Sequence, residues 1–139
     1  MTDRKLYYFA HPFTVLDSNG ARNRAAEHAR FLRCAMRTGE LIKRGFNVFS
    51  PICQFPPVED ACPEFLMGGG PDWLSLDMQI IERCRFDGIV LAPGWEKSAG
   101  CVAEMRAFVL AGLPVLYYAD LVRAVPDDWE GDRSTGVNK

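Results

Sequence analysis

The chain has 139 residues, 48% of them hydrophobic and 24% charged, with a formal net charge of −2. That length suits one globular domain burying roughly two thirds of its unfolded surface, and it excludes a second full domain. The slightly acidic balance gives no general polyanion-binding signature, even though residues 22–44 are rich in arginine, so no nucleic-acid polymer is expected as a partner.

The N-terminus, MTDRKLYYFAHPF, lacks the long apolar run of a signal peptide, and no segment approaches the length of a membrane span. A cytoplasmic protein without membrane association is therefore expected. KLYYFA (5–10) reads as a buried strand closed by His11-Pro12, followed by a loop carrying Phe13, Asp17, Ser18, Asn19 and Gly20. From Ala21 to Arg44, apolar residues at Ala25, Ala29, Leu32, Met36, Leu41 and Ile42 approximate helical spacing, and Gly45 supplies the stop.

FNVFS (46–50) is a second strand, ended by Pro51. Residues 52–71, with several prolines and the run Gly68-Gly69-Gly70, have no convincing period and read as an irregular insertion or lid. Pro71-Asp72-Trp73 opens a helix running to about Cys84; FDGIVLA (86–92) is a third strand broken by Pro93-Gly94. A further helix runs from near Ser98 to Gly112, PVLYY (114–118) is a fourth strand, and the tail after Asp120 is polar. Alternating strands and helices predict a single α/β domain, a Rossmann-like parallel sheet of about four or five strands covered by helices on both faces.

Five cysteines, Cys34, Cys53, Cys62, Cys84 and Cys101, are widely spaced with no C-x-x-C, and the only histidines are His11 and His28. This pattern disfavours a disulfide framework, a zinc site and a Cys–His nucleophile, and fits reduced thiols. No P-loop or G-x-G-x-x-G fingerprint occurs, and Glu96 stands where a nucleophile elbow needs glycine.

Two carboxylates break the pattern. If 72–84 is helical, Trp73, Leu74, Ile80, Ile81 and Cys84 lie within about 60° of one direction, with Asp77 at the centre of that apolar arc. On the next helix Glu104 flanks Cys101, Phe108 and Ala111, within two turns of a helix start that faces the ligand crevice of a parallel sheet. Each acid could instead make an ion pair with arginines of the first helix. Two on neighbouring elements suit one ionised nucleophile and one proton-holding acid. Ahead of Glu104, Ser98 and Gly100 sit at a helix start whose free N–H groups attract an anion, although Ser98 reads equally well as an ordinary N-cap. Phe13, Phe49, Gln54 and Trp95 fall near the crevice, where they could contact a ligand or serve as ordinary core or loop packing, and Arg22 and Arg24 could reach an anion or form a solvated face.

Tyr8-Phe9-Ala10-His11-Pro12-Phe13, Asn47-Val48-Phe49-Ser50-Pro51, Asp77, and Ser98-x-Gly100-x-x-x-Glu104 together resemble the nucleoside 2-deoxyribosyltransferase superfamily over about residues 5–118. The resemblance implies a flavodoxin-like fold and cleavage of the N-glycosidic bond of 2'-deoxynucleosides or their 5'-monophosphates, by hydrolysis or by transfer to another base, without cofactor or metal. It makes Glu104 the nucleophile at C1', with Asp77 assisting the leaving base or positioning the sugar and Tyr8 orienting the nucleophile. Ser98 and Gly100 match phosphate-holding positions, whereas His11 replaces the family's usual glycine. It also implies a homodimer or higher homo-oligomer. The tail GDRSTGVNK does not look like the C-terminal element with which transferases complete a neighbour's site, which tilts the expectation toward hydrolysis. The alternative is a nucleotide-binding or sensing module without turnover, since flavodoxin-like folds host many functions.

Overall fold

A computed structural model describes residues 4–67 and 72–123, and at its centre lie four strands, β1 (Leu6–Ala10), β2 (Asn47–Phe49), β3 (Gly88–Leu91) and β4 (Val115–Tyr117). Their spatial order is β2-β1-β3-β4, and every adjacent pair is parallel. Tyr8 stands opposite Phe49 on one side and Ile89 on the other, and Val90 stands opposite Leu116. The helices are α1 (Arg24–Lys43), α2 (Phe55–Ala61), α3 (Trp73–Arg83), α4 (Ala99–Leu110) and α5 (Tyr118–Arg123). This is the α/β arrangement that the alternation of elements predicts, in the flavodoxin-like form that the family resemblance implies.

The central strands are apolar on both faces because both faces are covered. Tyr8, Ala10, Ile89 and Leu91 point into a core with Phe86, Cys101 and Phe108, against which α3 packs Ile80 and Ile81. Their neighbours Phe9, Val90 and Ala92 point the other way, onto Cys34 and Leu41 of α1 and Leu121 of α5. Side-chain caps set where three helices begin, each satisfying an otherwise orphaned N–H. Asn23 accepts from Ala26 N at 2.9 Å, Asp72 from Ser75 N at 3.1 Å, and Ser98 from Cys101 N at 3.2 Å.

Three local expectations are corrected. The 52–71 segment is not wholly irregular: α2 forms there, flanked by single 3-10 turns at Pro51–Cys53 and Pro63–Met67. Its Pro56 and Pro57 stand in the first turn, where a helix has no use for their missing N–H groups. The last strand ends at Tyr117, and Tyr118 already belongs to α5. Cys84 is exposed rather than apolar-facing, because it is the extended residue after α3 (φ −95°, ψ 150°) and the helical period no longer applies to it. Residues 68–71 and the tail GDRSTGVNK lie outside the described residues. Cys34 and Cys101 are buried, and all five cysteines are free thiols. No described helix is long and apolar enough to cross a membrane.

From β1 the chain crosses through α1 on one face to β2, and from β3 through α4 on the other face to β4. The paths diverge between β1 and β3, which opens a crevice at the C-terminal ends of those strands. Close approach at their other ends demands glycine: a Cβ on Gly88 would lie 2.8 Å from the Pro114 carbonyl oxygen and 3.2 Å from the Tyr7 ring. Gly88→Ala is therefore expected to lower unfolding stability by about 1–3 kcal/mol in a denaturant titration. A variant as stable as the parent would show that β3 and β4 are not held this closely.

Candidate active site

A cavity of about 1030 Å³ occupies this crevice. The loops after β1 and β3 line it, together with α2, one face of α1, the start of α3 and the N-terminal half of α4.

At its floor the two misplaced acids meet. Asp77 and Glu104 both line the cavity, although only 5% and 6% of their surfaces are exposed. The fully buried Tyr8 donates its hydroxyl proton to Glu104 Oε2 over 2.6 Å, a length typical of a charge-assisted bond. Rings of Phe49, Phe86 and Phe108 surround Tyr8 at 5.4–6.2 Å between centroids and hold its hydroxyl on that line. Burial, then the adjacent Asp77, pushes the Glu104 carboxyl up to about 9, against the opposing effect of the Tyr8 bond. Burial likewise raises Asp77, while its contacts with Glu104 and Tyr8 oppose the rise. Like charges this close do not both ionise, so near neutral pH the pair retains a proton. This departs from a freely ionised Glu104. Asp77 Oδ1 is buried with no hydrogen-bond partner among the described residues, so a proton on the pair or a ligand has to supply one.

An aromatic wall stands beside the acids. Trp73 lies one helical turn before Asp77 on α3 and stacks on Phe55 of α2, with centroids 4.3 Å apart and planes within 9°. The Trp73 indole N–H donates to Glu59 at 2.8 Å. Glu59 and Glu27 are almost wholly buried, and two guanidiniums neutralise both. Arg22 donates to Glu27 at 2.9 and 3.0 Å and to Glu59 at 3.1 Å; Arg24 donates to Glu27 at 2.6 Å and to Glu59 at 3.2 Å. Burial alone would raise the Glu59 carboxyl, but the bonds from Trp73 and Arg22 hold it below the usual range. The network ties the loop after β1, through Val15 N to Glu27, to α1, α2 and α3.

At the end of β1, His11 is buried. Its Nδ1 lies 2.8 Å from the Pro12 carbonyl and its Nε2 lies 3.0 Å from Arg37 Nη1. Arginine can only donate, so Nε2 accepts and Nδ1 carries the proton, which makes His11 neutral. Burial, then Arg37, Arg33 and Arg30, depress it to about 4 against the Pro12 bond.

The cavity thus gathers Asp77, Glu104, Ser98, Gly100, His11 and Phe13, with Tyr8 reaching it through Glu104. Gln54 is exposed and does not line it, because it caps the start of α2 with its side chain outward. Phe49 and Trp95 pack into the core instead. Ser98 acts as the N-cap of α4. Arg22 and Arg24 are not available to a phosphate, since buried acids hold both. Burial pushes the Cys101 thiol up to about 12, so it is no thiolate nucleophile. Among the described residues, no three His, Cys, Asp or Glu side chains converge as a metal site. Sequence reasoning missed Phe55, Glu27, Glu59 and the arginines Arg30, Arg33 and Arg37 as parts of this region. Trp73 had a usable signal, four residues before Asp77 on the same helical face.

Because Glu104 is raised in the folded state, the unfolded chain ionises first. The stability held by the protonated form is complete below about pH 4 and is lost as pH rises toward about 9. Glu104→Gln, a neutral isostere, is expected to flatten that slope and to exceed the parent at pH 8 by on the order of a few kcal/mol, read from denaturant titrations across pH. A parallel pH dependence in both proteins would show that Glu104 is not perturbed. Glu27→Gln leaves two part-buried guanidiniums short of a counter-charge, and a loss of roughly 3 kcal/mol is expected. A thermal melt unchanged by that substitution would mean the network does not support the wall.

Comparison with curated proteins finds no match. The cavity-forming region instead coincides with a family model described as Domain of unknown function (DUF1937), which matches residues 4–120. With its sheet, its acid pair and its cavity all inside that match, the chain belongs to the DUF1937 family.

Proposed function

We propose that this protein cleaves the N-glycosidic bond of 2'-deoxynucleosides or their 5'-monophosphates, with Glu104 as nucleophile, Asp77 as proton donor to the base and Tyr8 orienting Glu104. The observation that carries the reading is the pairing of Asp77 and Glu104 in one desolvated cavity, with Tyr8 bonded to Glu104 at 2.6 Å. Breaking this bond builds positive charge on the sugar, and a carboxylate beneath C1' stabilises it.

The proton on the pair gives the reaction its order. With that proton on Asp77, Glu104 is the carboxylate that Tyr8 orients. As the C1'–N bond lengthens, its electron pair leaves with the base, Asp77 protonates a base nitrogen, and the Glu104 oxygen not bonded to Tyr8 forms an ester with C1'. Water then attacks C1', gives one proton to the Asp77 carboxylate and releases Glu104, which restores the singly protonated pair. A second base in place of water gives transfer. The stacked Phe55–Trp73 wall offers a flat apolar surface for the base.

A second reading, a binding or sensing module without turnover, draws on one observation. Burial pushes Glu104 up to about 9, and a protonated acid is a hydrogen-bond partner for a sugar before it is a nucleophile.

Incubation with a panel of ribo- and deoxyribonucleosides and their monophosphates, with free base measured by chromatography, separates the two. Base release that falls roughly 10³-fold or more in Glu104→Gln is expected, declining above about pH 9 as the pair loses its last proton. Ligand binding without base release from any substrate would sink the enzyme reading, and release that survives Glu104→Gln would sink the nucleophile. Added free base distinguishes transfer from hydrolysis.

A further inference from the structure

The arginines of α1 fall into two groups. Near its start, Arg24 and the preceding Arg22 are neutralised by Glu27 and Glu59, and near its end Arg44 is bonded to Glu40. Between them Arg30, Arg33 and Arg37 all line the cavity. None of the three has a carboxylate within ion-pair distance among the described residues. Arg30 donates one bond to the Thr14 carbonyl at 3.2 Å; Arg37 donates one to His11 and lies over the Tyr118 ring, 5.5 Å from its centroid. Most of their guanidinium N–H groups are left for a ligand. Arg37 bonds His11 at the end of β1, and His11 and the first turn of α4 line the same cavity as the three arginines, so the row and the α4 start share one cleft. Lys97, in the turn before α4, lines the same cavity.

Like charges gathered without counter-charge are unfavourable in a partly enclosed cleft unless an anion sits among them. Positions 30, 33 and 37 share one helical face and extend over about 10 Å, more than a single phosphate spans. A phosphomonoester carries about two negative charges, whereas these three arginines and Lys97 carry four cations, a surplus that a longer phosphate chain removes. We propose that this face of α1, with Lys97, binds a chain of two or more phosphates, so that the cavity also takes a nucleoside 5'-diphosphate or 5'-triphosphate and holds it more tightly than the nucleoside or monophosphate of the function proposed above. The identity of the nucleoside part rests on the function proposed above; the phosphate site does not. With a sugar over Asp77 and Glu104, the 5' substituent leaves the acids and runs between the α4 start and the arginine row.

The test is titration calorimetry of the full chain with inorganic orthophosphate, pyrophosphate and tripolyphosphate. Affinity is expected to rise at least about tenfold from orthophosphate to pyrophosphate, and to rise again for tripolyphosphate. The exposed Arg33→Gln and the part-buried Arg30→Gln, each with its fold checked by circular dichroism, are expected to weaken pyrophosphate about tenfold. Arg85→Gln, the same charge change on an exposed residue outside the cavity, is expected to leave it unchanged. Equal affinity for orthophosphate and pyrophosphate, or equal losses in Arg33→Gln and Arg85→Gln, would overturn the proposal. Pyrophosphate binding with no base release from any nucleotide sinks the glycosidic reading alone. Base release indifferent to the number of phosphates overturns the phosphate chain alone.

Discussion

The hydrogen bond from Tyr8 to Glu104 joins the middle of the sheet to the helix on its far side, and the site is organised around it. Tyr8 alternates with Phe9 on β1, so its ring enters the α3–α4 core and cannot turn away. Ser98 caps α4 and sets its register, which brings Glu104, six residues later, to the ring's hydroxyl. The same desolvation that shortens this bond raises the acids it involves. A carboxyl pair that must keep a proton is therefore a consequence of where the tyrosine is buried, and that proton gives the pair two unlike members.

Charge is handled differently on each wall of the cavity. The floor acids shed one of their two charges by sharing a proton, while Glu27 and Glu59 are neutralised by Arg22 and Arg24, at the cost of immobilising a loop and three helices together. The arginine row on α1 is neutralised by neither device. An acid pair sharing one proton and a row of cations on α1 line the same cavity, which makes it uneven in charge. The stacked Phe55 and Trp73 supply the apolar side.

Much of the frame was legible along the chain because its signals are local. Apolar runs mark β1 and β3, helical spacing marks α1, α3 and α4, and Asp72 and Ser98 announce their helices through bonds that span three residues. Asp77 and Glu104 stood out for the same reason, as charges that contradict the period around them. The α2 segment was missed because its prolines and short length mask any period; its burial of Phe55 and Glu59 is decided by contacts with α1 and α3.

Element order, helix starts and the two anomalous acids follow from the sequence, since each depends on neighbours within a few positions. Folding in three dimensions settled where polar side chains go: Arg22 and Arg24 to buried acids, Arg30, Arg33 and Arg37 to the cavity, and Gln54 to solvent. The proton kept by Asp77 and Glu104 belongs to the same class, because desolvation and like-charge proximity arise only when α3 and α4 close over Tyr8. Pairing across space has no signature in spacing along the chain.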